Sequence, residues 1–322
     1  GRELVAHDAL SIALDDVCSN PTKLRDGTPV LLSDEQRTAV QVAALRPLSV
    51  ITGGPGTGKT SIVVSLLRLL VRLGVPPERI VLAAPTGKAA NRLGESIETQ
   101  LTSLEAQEAD TLLREQRTSP STLHRLLKYS GARGRFLRDE SDPIDADWVI
   151  VDEASMIDLV LMERLVRCVA EPSNLVLLGD VQQLPSVETG TVLRDLIPAG
   201  DGAHVSRLRK SFRMDERDPA GRAILSLAGL VRDGATESIR ESLSEDSPGV
   251  SFLPAAPAEL RTKMIGFVDR WFADRVVALD DFQRLARQTY VLTEDAFEAQ
   301  ALRDIDRLFQ HFERFRILTL TR

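Results

Sequence analysis

The stretch Gly53-Gly54-Pro55-Gly56-Thr57-Gly58-Lys59-Thr60 sets glycines, a lysine and a threonine in the spacing G-x-x-x-x-G-K-[ST]. Glycines let a backbone wrap an anion at a range that a Cβ would block. Consecutive loop N–H groups, continued by a helix N-terminus, then turn positive partial charge toward it. A lysine at position 59 reaches β- and γ-phosphates, and a hydroxyl at Thr60 ligates Mg²⁺. The chemistry this predicts is binding of a nucleoside triphosphate. The flanks agree, because the pattern acquires meaning only between a strand and a helix. Leu48-Ser49-Val50-Ile51-Thr52 reads as a buried strand, and Ser61 to Leu73 as a mostly buried helix.

Three further groups could complete such a site. Val149-Ile150-Val151-Asp152-Glu153 is an apolar strand ending in two acids. Asp152 is placed to hold Mg²⁺ at the strand's C-terminal end, and Glu153 to polarise an attacking water. Gly179-Asp180-Val181-Gln182-Gln183 ends another apolar strand, where the neutral amide of Gln183 can contact a γ-phosphate or its water. Arg213, in Arg209-Lys210-Ser211-Phe212-Arg213, can reach γ-phosphate charge from outside the first domain. Such an arginine contributes roughly 10³–10⁵ in rate. Taken singly these pieces also read as a solvated strand end, a polar turn before Pro185 and a basic patch. Downstream of a phosphate loop they read as one hydrolytic site.

The elements that must position them alternate. Strand-like runs at 48–52, 79–85, 148–154 and 174–180 are interleaved with helical ones at 61–73, 87–101 and 157–169. That alternation predicts an α/β domain with a parallel sheet covered on both faces. Between 98 and 147 lies a less regular insert, with a helix-like STLHRLLKYS and then a loop or hairpin. Pro198-Ala199-Gly200-Asp201-Gly202 is the linker candidate. Beyond it, 219–233, 257–287 and 296–315 read as helices, and 247–257 and 316–321 as strands.

The chain has 322 residues, 43% apolar and 27% charged, the composition of a globular protein. Its formal net charge of −7 argues against a coat protein for nucleic acid but leaves room for a local basic groove. Cys18 and Cys168 match no metal spacing, which suits a reducing, cytoplasmic compartment. No apolar run approaches about 20 residues, so no membrane partner is expected.

The phosphate loop, APTGKAANRLGES (84–96), STLHRLL (121–127), VDEASMID (151–158), LLGDVQQLPSVETGTVLRDL (177–196) and LRKSFR (208–213) follow one another in the order of superfamily 1 DNA helicases. The chain most resembles their RecD type, the alpha subunit of exodeoxyribonuclease V, and stand-alone RecD-like helicases. The resemblance covers about residues 33–213. It implies a remnant of an N-terminal region at 1–32, a first RecA-like P-loop ATPase domain at 33–200, and at 201–322 the N-terminal portion of a second RecA-like domain. It implies ATP and Mg²⁺ as cofactors, with Gln36 reading adenine. The phosphate-binding residues are then Gly54, Pro55, Gly56, Thr57, Gly58, Lys59 and Thr60, the metal ligands Thr60 and Asp152, and the catalytic set Lys59, Glu153, Gln183 and Arg213. It further implies single-stranded DNA contacts at Pro85, Thr86, Lys88, Arg92, Thr122 and His124. Single-stranded or duplex-end DNA, with RecB and RecC subunits, are the implied partners. The implied activity is ATP-driven 5′-to-3′ translocation in double-strand-break repair.

Two departures stand out. The later motifs, a V-H-K-S-Q-G-like segment and a T-R-A-like segment with a second arginine finger, do not occur in residues 1–322, and the family's long N-terminal region is reduced to residues 1–32. The chain as given is therefore expected to be a fragment that binds ATP and turns it over poorly. Two other classes stay open at this level: a phosphate-loop kinase or clamp-type ATPase indifferent to DNA, and a subunit that binds without hydrolysis.

Overall fold

The computed structural model describes residues 7–24, 27–104, 108–116, 119–183, 192–199, 204–212, 217–243, 248–250, 252–256, 258–277, 281–293 and 296–313. Two compact units result, 1–240 and 241–322.

The first unit opens with helices α1 (His7–Ser19) and α2 (Asp34–Leu45), followed by β1 (Leu48–Gly53) and α3 (Lys59–Arg72). Next come β2 (Ile80–Ala84), α4 (Gly87–Thr102) and α5 (Glu108–Glu115). A short insert holds β3 (Ser121–Thr122), the single turn α6 (Leu123–Leu126), and a hairpin of β4 (Tyr129–Ser130) with β5 (Arg135–Phe136). The alternation resumes with β6 (Trp148–Val151), α7 (Leu159–Cys168), β7 (Asn174–Gly179), α8 (Val192–Ala199) and β8 (Val205–Leu208). Helices α9 (Pro219–Arg232) and α10 (Thr236–Ser242) follow.

Six strands form one sheet in the order β3-β2-β6-β7-β1-β8, and every neighbouring pair is parallel. Successive side chains of a strand point to opposite faces. Ile51, Ile150, Val176 and Leu178 accordingly join one buried cluster with α1 to α5. Their neighbours Val50, Val149, Val151, Leu175 and Leu177 join a second cluster with α6, α7 and α8. Burial on both faces is why these strands are continuously apolar.

The strands and helices read between 48 and 180 appear within a few residues of the expected limits. Elsewhere the structure differs. The helix-like 121–130 is a two-residue strand, one helical turn and the first arm of the hairpin. Leu123 and Leu127 are the buried positions of that piece, so only a four-residue spacing survives of the helical pattern. The segment expected as a strand at 247–257 contains no strand among its described residues. β8 lies past the linker candidate yet pairs with β1, Val50 opposite Val205, so the first sheet runs beyond residue 200.

The second unit contains α11 (Leu260–Trp271), α12 (Phe282–Arg287), the hairpin β9 (Leu292–Thr293) with β10 (Ala296–Phe297), and α13 (Ala299–Glu313). Leu285 is fully buried, and the rings of Phe282, His311 and Phe312 meet between α12 and α13. The expected helix at 296–315 thus begins three residues late, after β10. The strand expected at 316–321 lies outside the described residues. No helix among the described residues is long and apolar enough to cross a membrane.

One buried charge network fastens the first layer of helices. Asp110 on α5 is fully buried, receiving Arg68 Nε at 2.9 Å and Nη2 at 3.0 Å, and Arg72 Nη1 at 2.9 Å. Arg68 Nη1 also donates to the Val17 carbonyl at 3.3 Å, and Arg72 Nε to Asp16 at 2.6 Å, which ties in α1. Burial alone would raise the Asp110 carboxyl. The hydrogen bonds from Arg72 and Arg68 outweigh it and hold the group below the usual aspartate range. A depressed carboxyl contributes stability at neutral pH that is lost as pH falls through its folded value. Removing one member of such a group leaves buried charge uncompensated. Asp110→Ala should therefore cost about 3–5 kcal/mol, read as a lowered urea midpoint at pH 7, with a smaller loss under acid.

Candidate active site

In a parallel sheet all strand C-termini lie along one edge, the edge where ligands bind in α/β folds. Here β1 delivers the phosphate loop to that edge and β6 delivers Asp152 and Glu153. From β7 come Asp180 and the turn to Gln183, and from β2 come Pro85, Thr86 and Lys88. Thr122 and His124 arrive from β3, and Arg209 to Phe212 from β8.

The phosphate loop is folded tightly. Gly56 and Gly58 take φ of 75° and 81°, values that L side chains avoid. A Cβ on Gly58 would also stand 2.3 Å from Gln36 Nε2. Thr57 is buried and its hydroxyl donates to Gly54 O at 2.9 Å. Lys59 Nζ donates to the carbonyls of Gly53 at 2.5 Å and Gly54 at 3.2 Å. Phosphate oxygens would offer that ammonium stronger, charged acceptors. Thr60 sits in the first turn of α3, half-buried.

Gln36 is 3% exposed. It is the N3 residue of a capping box in which Ser33 Oγ accepts the Gln36 N–H and Gln36 Oε1 accepts the Ser33 N–H at 2.9 Å. Its Nε2 donates to Thr57 O at 2.9 Å. Each end of the amide thus already holds one backbone partner, with one further hydrogen and one further lone pair available. The Ser33-x-x-Gln36 spacing is itself a readable capping signature, a signal in the sequence that the expectation of an adenine reader passes over.

Asp152 continues β6, its N–H donating to Ala83 O at 2.9 Å, and its Oδ1 accepts the Glu153 N–H at 2.9 Å. Glu153 adopts φ 53°, ψ 35°, the left-handed region, before a tight turn at Ala154–Met156. A non-glycine residue there is strained by about 1–2 kcal/mol, and such strain collects at functional sites. Gly179 makes room for the turn, since a Cβ on it would lie 2.9 Å from Ser155 N and 2.6 Å from Leu193 Cδ2. Glu153 Oε2 and Ser155 Oγ are buried without a hydrogen-bond partner among the described residues.

Burial raises the Asp152 carboxyl, against the Glu153 N–H and the charge of Lys59. Burial also raises Glu153, reinforced by Asp152 and Asp180 and opposed by Lys59 and Arg92. Lys59, Asp152 and Glu153, expected to act together, are therefore within electrostatic reach of one another. Asp180 belongs with them. It is 2% exposed and accepts the Gln182 N–H at 3.0 Å, and it was not among the expected residues. Its signal was the acid directly after the apolar run of β7. Gln183 is exposed, its N–H bonded to Asp180 O at 3.1 Å. Arg213 lies outside the described residues.

The residues expected to touch DNA share the edge beside β2 and β3, where Ala84 is in register with Thr122. Thr86 and Thr122 cap α4 and α6, accepting the N–H of Ala89 and of Arg125, each at 3.2 Å. As acceptors, both hydroxyls keep their proton for a phosphate. Thr86, Lys88, Arg92 and His124 are exposed, while Pro85 is half-buried. The His124 ring meets those of Tyr129 and Phe136 on the hairpin, at 5.4 and 5.6 Å.

A family described as an AAA domain matches residues 36–189. The RecBCD enzyme subunit RecD of Mycolicibacterium smegmatis is 39% identical over 233 residues, which cover 70% of this chain and 40% of that protein. The ATP-dependent RecD2 DNA helicase of Deinococcus radiodurans is 36% identical over 218 residues, 68% of this chain and 26% of that protein. Among solved structures, the Pif1 helicase of Candida albicans aligns at 22% identity and a TM-score of 0.45, over 63% of this chain and 44% of that one. The chain spans at most 40% of the length of these curated relatives. The ordered motifs around a shared sheet edge and the identity to RecD and RecD2 proteins lead to one assignment: the chain is a relative of the RecD-type superfamily 1 helicases.

Proposed function

We propose that this chain is the ATP-hydrolysing part of a DNA helicase motor. Its first RecA-like domain would run from residue 33 through β8, past the expected limit at 200 because Val205 to Leu208 complete its sheet, with the start of a second domain in the chain that follows. The observation that carries the reading is one sheet edge holding a phosphate loop, a strained, half-buried glutamate and exposed hydroxyl and cationic side chains side by side. ATP is the nucleotide and Mg²⁺ the metal. The oxygen donors Thr60 and Asp152 suit Mg²⁺, which uses one or two protein ligands together with phosphates and waters. Asp152, held above its ordinary value by burial, is a carboxylate that a cation would relieve. When bound, the metal neutralises β- and γ-phosphate charge.

The chain's own groups do the rest. Loop N–H groups and Lys59 hold the phosphates. Glu153, raised by burial and by Asp152, accepts a proton from water more readily than a solvated glutamate does. Gln183 contacts the γ-phosphate or its water, and Arg213 answers from the following segment. Pro85, Thr86, Lys88, Arg92, Thr122 and His124 hold single-stranded DNA through its phosphates, without reading sequence. The translocation is 5′ to 3′, in the cytoplasm, during double-strand-break repair with RecB and RecC. The identity to a RecBCD subunit supports that setting, and the identity to a RecD2 helicase supports solitary action as its alternative.

ATPase rates of the full-length protein with and without single-stranded DNA test the reading. A several-fold stimulation is expected, and its absence favours a phosphate-loop ATPase of another kind. Strand-polarity unwinding and co-purification with RecB and RecC test the finer claims, which fall to exclusive 3′-to-5′ activity and to failure of the three to associate. Glu153→Gln should lower kcat by about 10²–10⁴ with ATP binding retained. Residues 1–322 alone should bind ATP with little turnover.

A stability measurement tests the electrostatics apart from activity. A carboxyl raised on folding carries no penalty below its unfolded value and loses stability as pH rises through its folded one. Asp152→Asn removes that penalty while leaving an oxygen to accept the Glu153 N–H. Its melting temperature should exceed the wild type's at pH 7, with the difference closing as pH falls toward 3.8, the ordinary aspartate value.

A further inference from the structure

Three consecutive carbonyls of the phosphate loop are each held by a donor from outside the loop. Pro55 O accepts Ser211 Oγ at 3.2 Å, Gly56 O accepts the Phe212 N–H at 2.7 Å, and Thr57 O accepts Gln36 Nε2 at 2.9 Å. The donors come from two separate pieces, the strap after β8 and the first turn of α2. A fourth bond joins those pieces, from the Arg209 N–H to Glu35 Oε2 at 2.9 Å. Lys210 lies over the Phe212 ring, 5.2 Å from its centroid, which further orders the strap.

The consequence follows from peptide geometry. A peptide unit is planar and trans, so the C=O of one residue and the N–H of the next point in opposite directions. Fixing the carbonyls of Pro55, Gly56 and Thr57 outward therefore turns the N–H groups of Gly56, Thr57 and Gly58 inward. Successive N–H groups so turned form an anion-binding concavity. Within the loop itself Thr57 N–H has only a long contact, 3.4 Å to Gly54 O, so internal bonds alone fix this orientation weakly.

We propose that Ser211, the Phe212 backbone and Gln36 are positioning residues that preorganise the phosphate loop by gripping its outer face. The inference rests on triphosphate binding at that loop and adds to it a set of residues that touch no phosphate. It also gives Gln36 a task independent of the base. Residues 209–212 lie beyond the span 36–189 that matches the AAA domain family.

The test is calorimetric binding of ATP and of inorganic tripolyphosphate to the full-length protein. Lys59→Ala serves as the control for the site, and melting temperatures are recorded throughout. Ser211→Ala should weaken both ligands by the same factor, roughly two- to tenfold for one hydrogen bond, at an unchanged melting temperature. Ser211→Thr, which keeps the hydroxyl, should restore both. Phe212→Pro, which removes the donor to Gly56, and Gln36→Ala should each weaken both ligands further. Unchanged tripolyphosphate affinity in Ser211→Ala and Gln36→Ala overturns the proposal, as does a loss confined to ATP or one that Ser211→Thr fails to restore. If the wild type binds neither ligand, the triphosphate reading fails and takes this proposal with it. Normal wild-type binding, abolished by Lys59→Ala, leaves the proposal to stand or fall on the Ser211 and Gln36 variants.

Discussion

A sheet whose six strands all run one way has only one edge at which its connecting turns can gather side chains from every strand end. That constraint organises the molecule. The order β3-β2-β6-β7-β1-β8 sets the phosphate loop two strands from Asp152 and Glu153, with Asp180 on the strand between them. The same order carries Thr122 and His124 to the far side, beyond β2. Parallel strands need crossovers that cover the faces. The helices are therefore obligatory, and their two apolar clusters cover both faces of the sheet.

At the middle of this edge three acids meet. Asp152, Glu153 and Asp180 converge, with Lys59 and Arg92 as the cations felt at Glu153. Burial would favour protonating such a group, yet a bound cation or a polarised water asks for the ionised form. The left-handed backbone at Glu153 and its Oε2, without a partner among the described residues, belong to the same conflict. Local stability is sacrificed in the few residues that handle charge, while the strands beneath them are buried and mostly apolar.

The sequence made the central strands legible because burial on both faces leaves long runs such as Val149-Ile150-Val151 and Leu175-Val176-Leu177-Leu178. The phosphate loop and the two acids were legible for the same reason, each standing directly after such a run. What was hidden sits at the sheet's margins. β3 is two residues long, and a four-residue apolar spacing through Leu123 and Leu127 gives 121–130 a helical look. β8 follows a Pro/Gly-rich stretch that resembles a boundary, and Val205-Ser206-Arg207-Leu208 has too little apolar run to announce a strand. The hydrogen bonds from Ser211 and Phe212 could not be read at all, since they join residues more than 150 apart and one of their donors is backbone.

Helix α3 buries ten consecutive residues, Ile62 to Val71, including Arg68. A helix enclosed on every side has no free flank along which to slide or roll. It resembles an axle seated in its housing more than a lever. Whatever displacement accompanies events at the phosphate loop cannot travel down this helix. It must leave sideways, through the turns along the sheet edge and through the strap from Arg209 to Phe212, which the loop's own carbonyls hold.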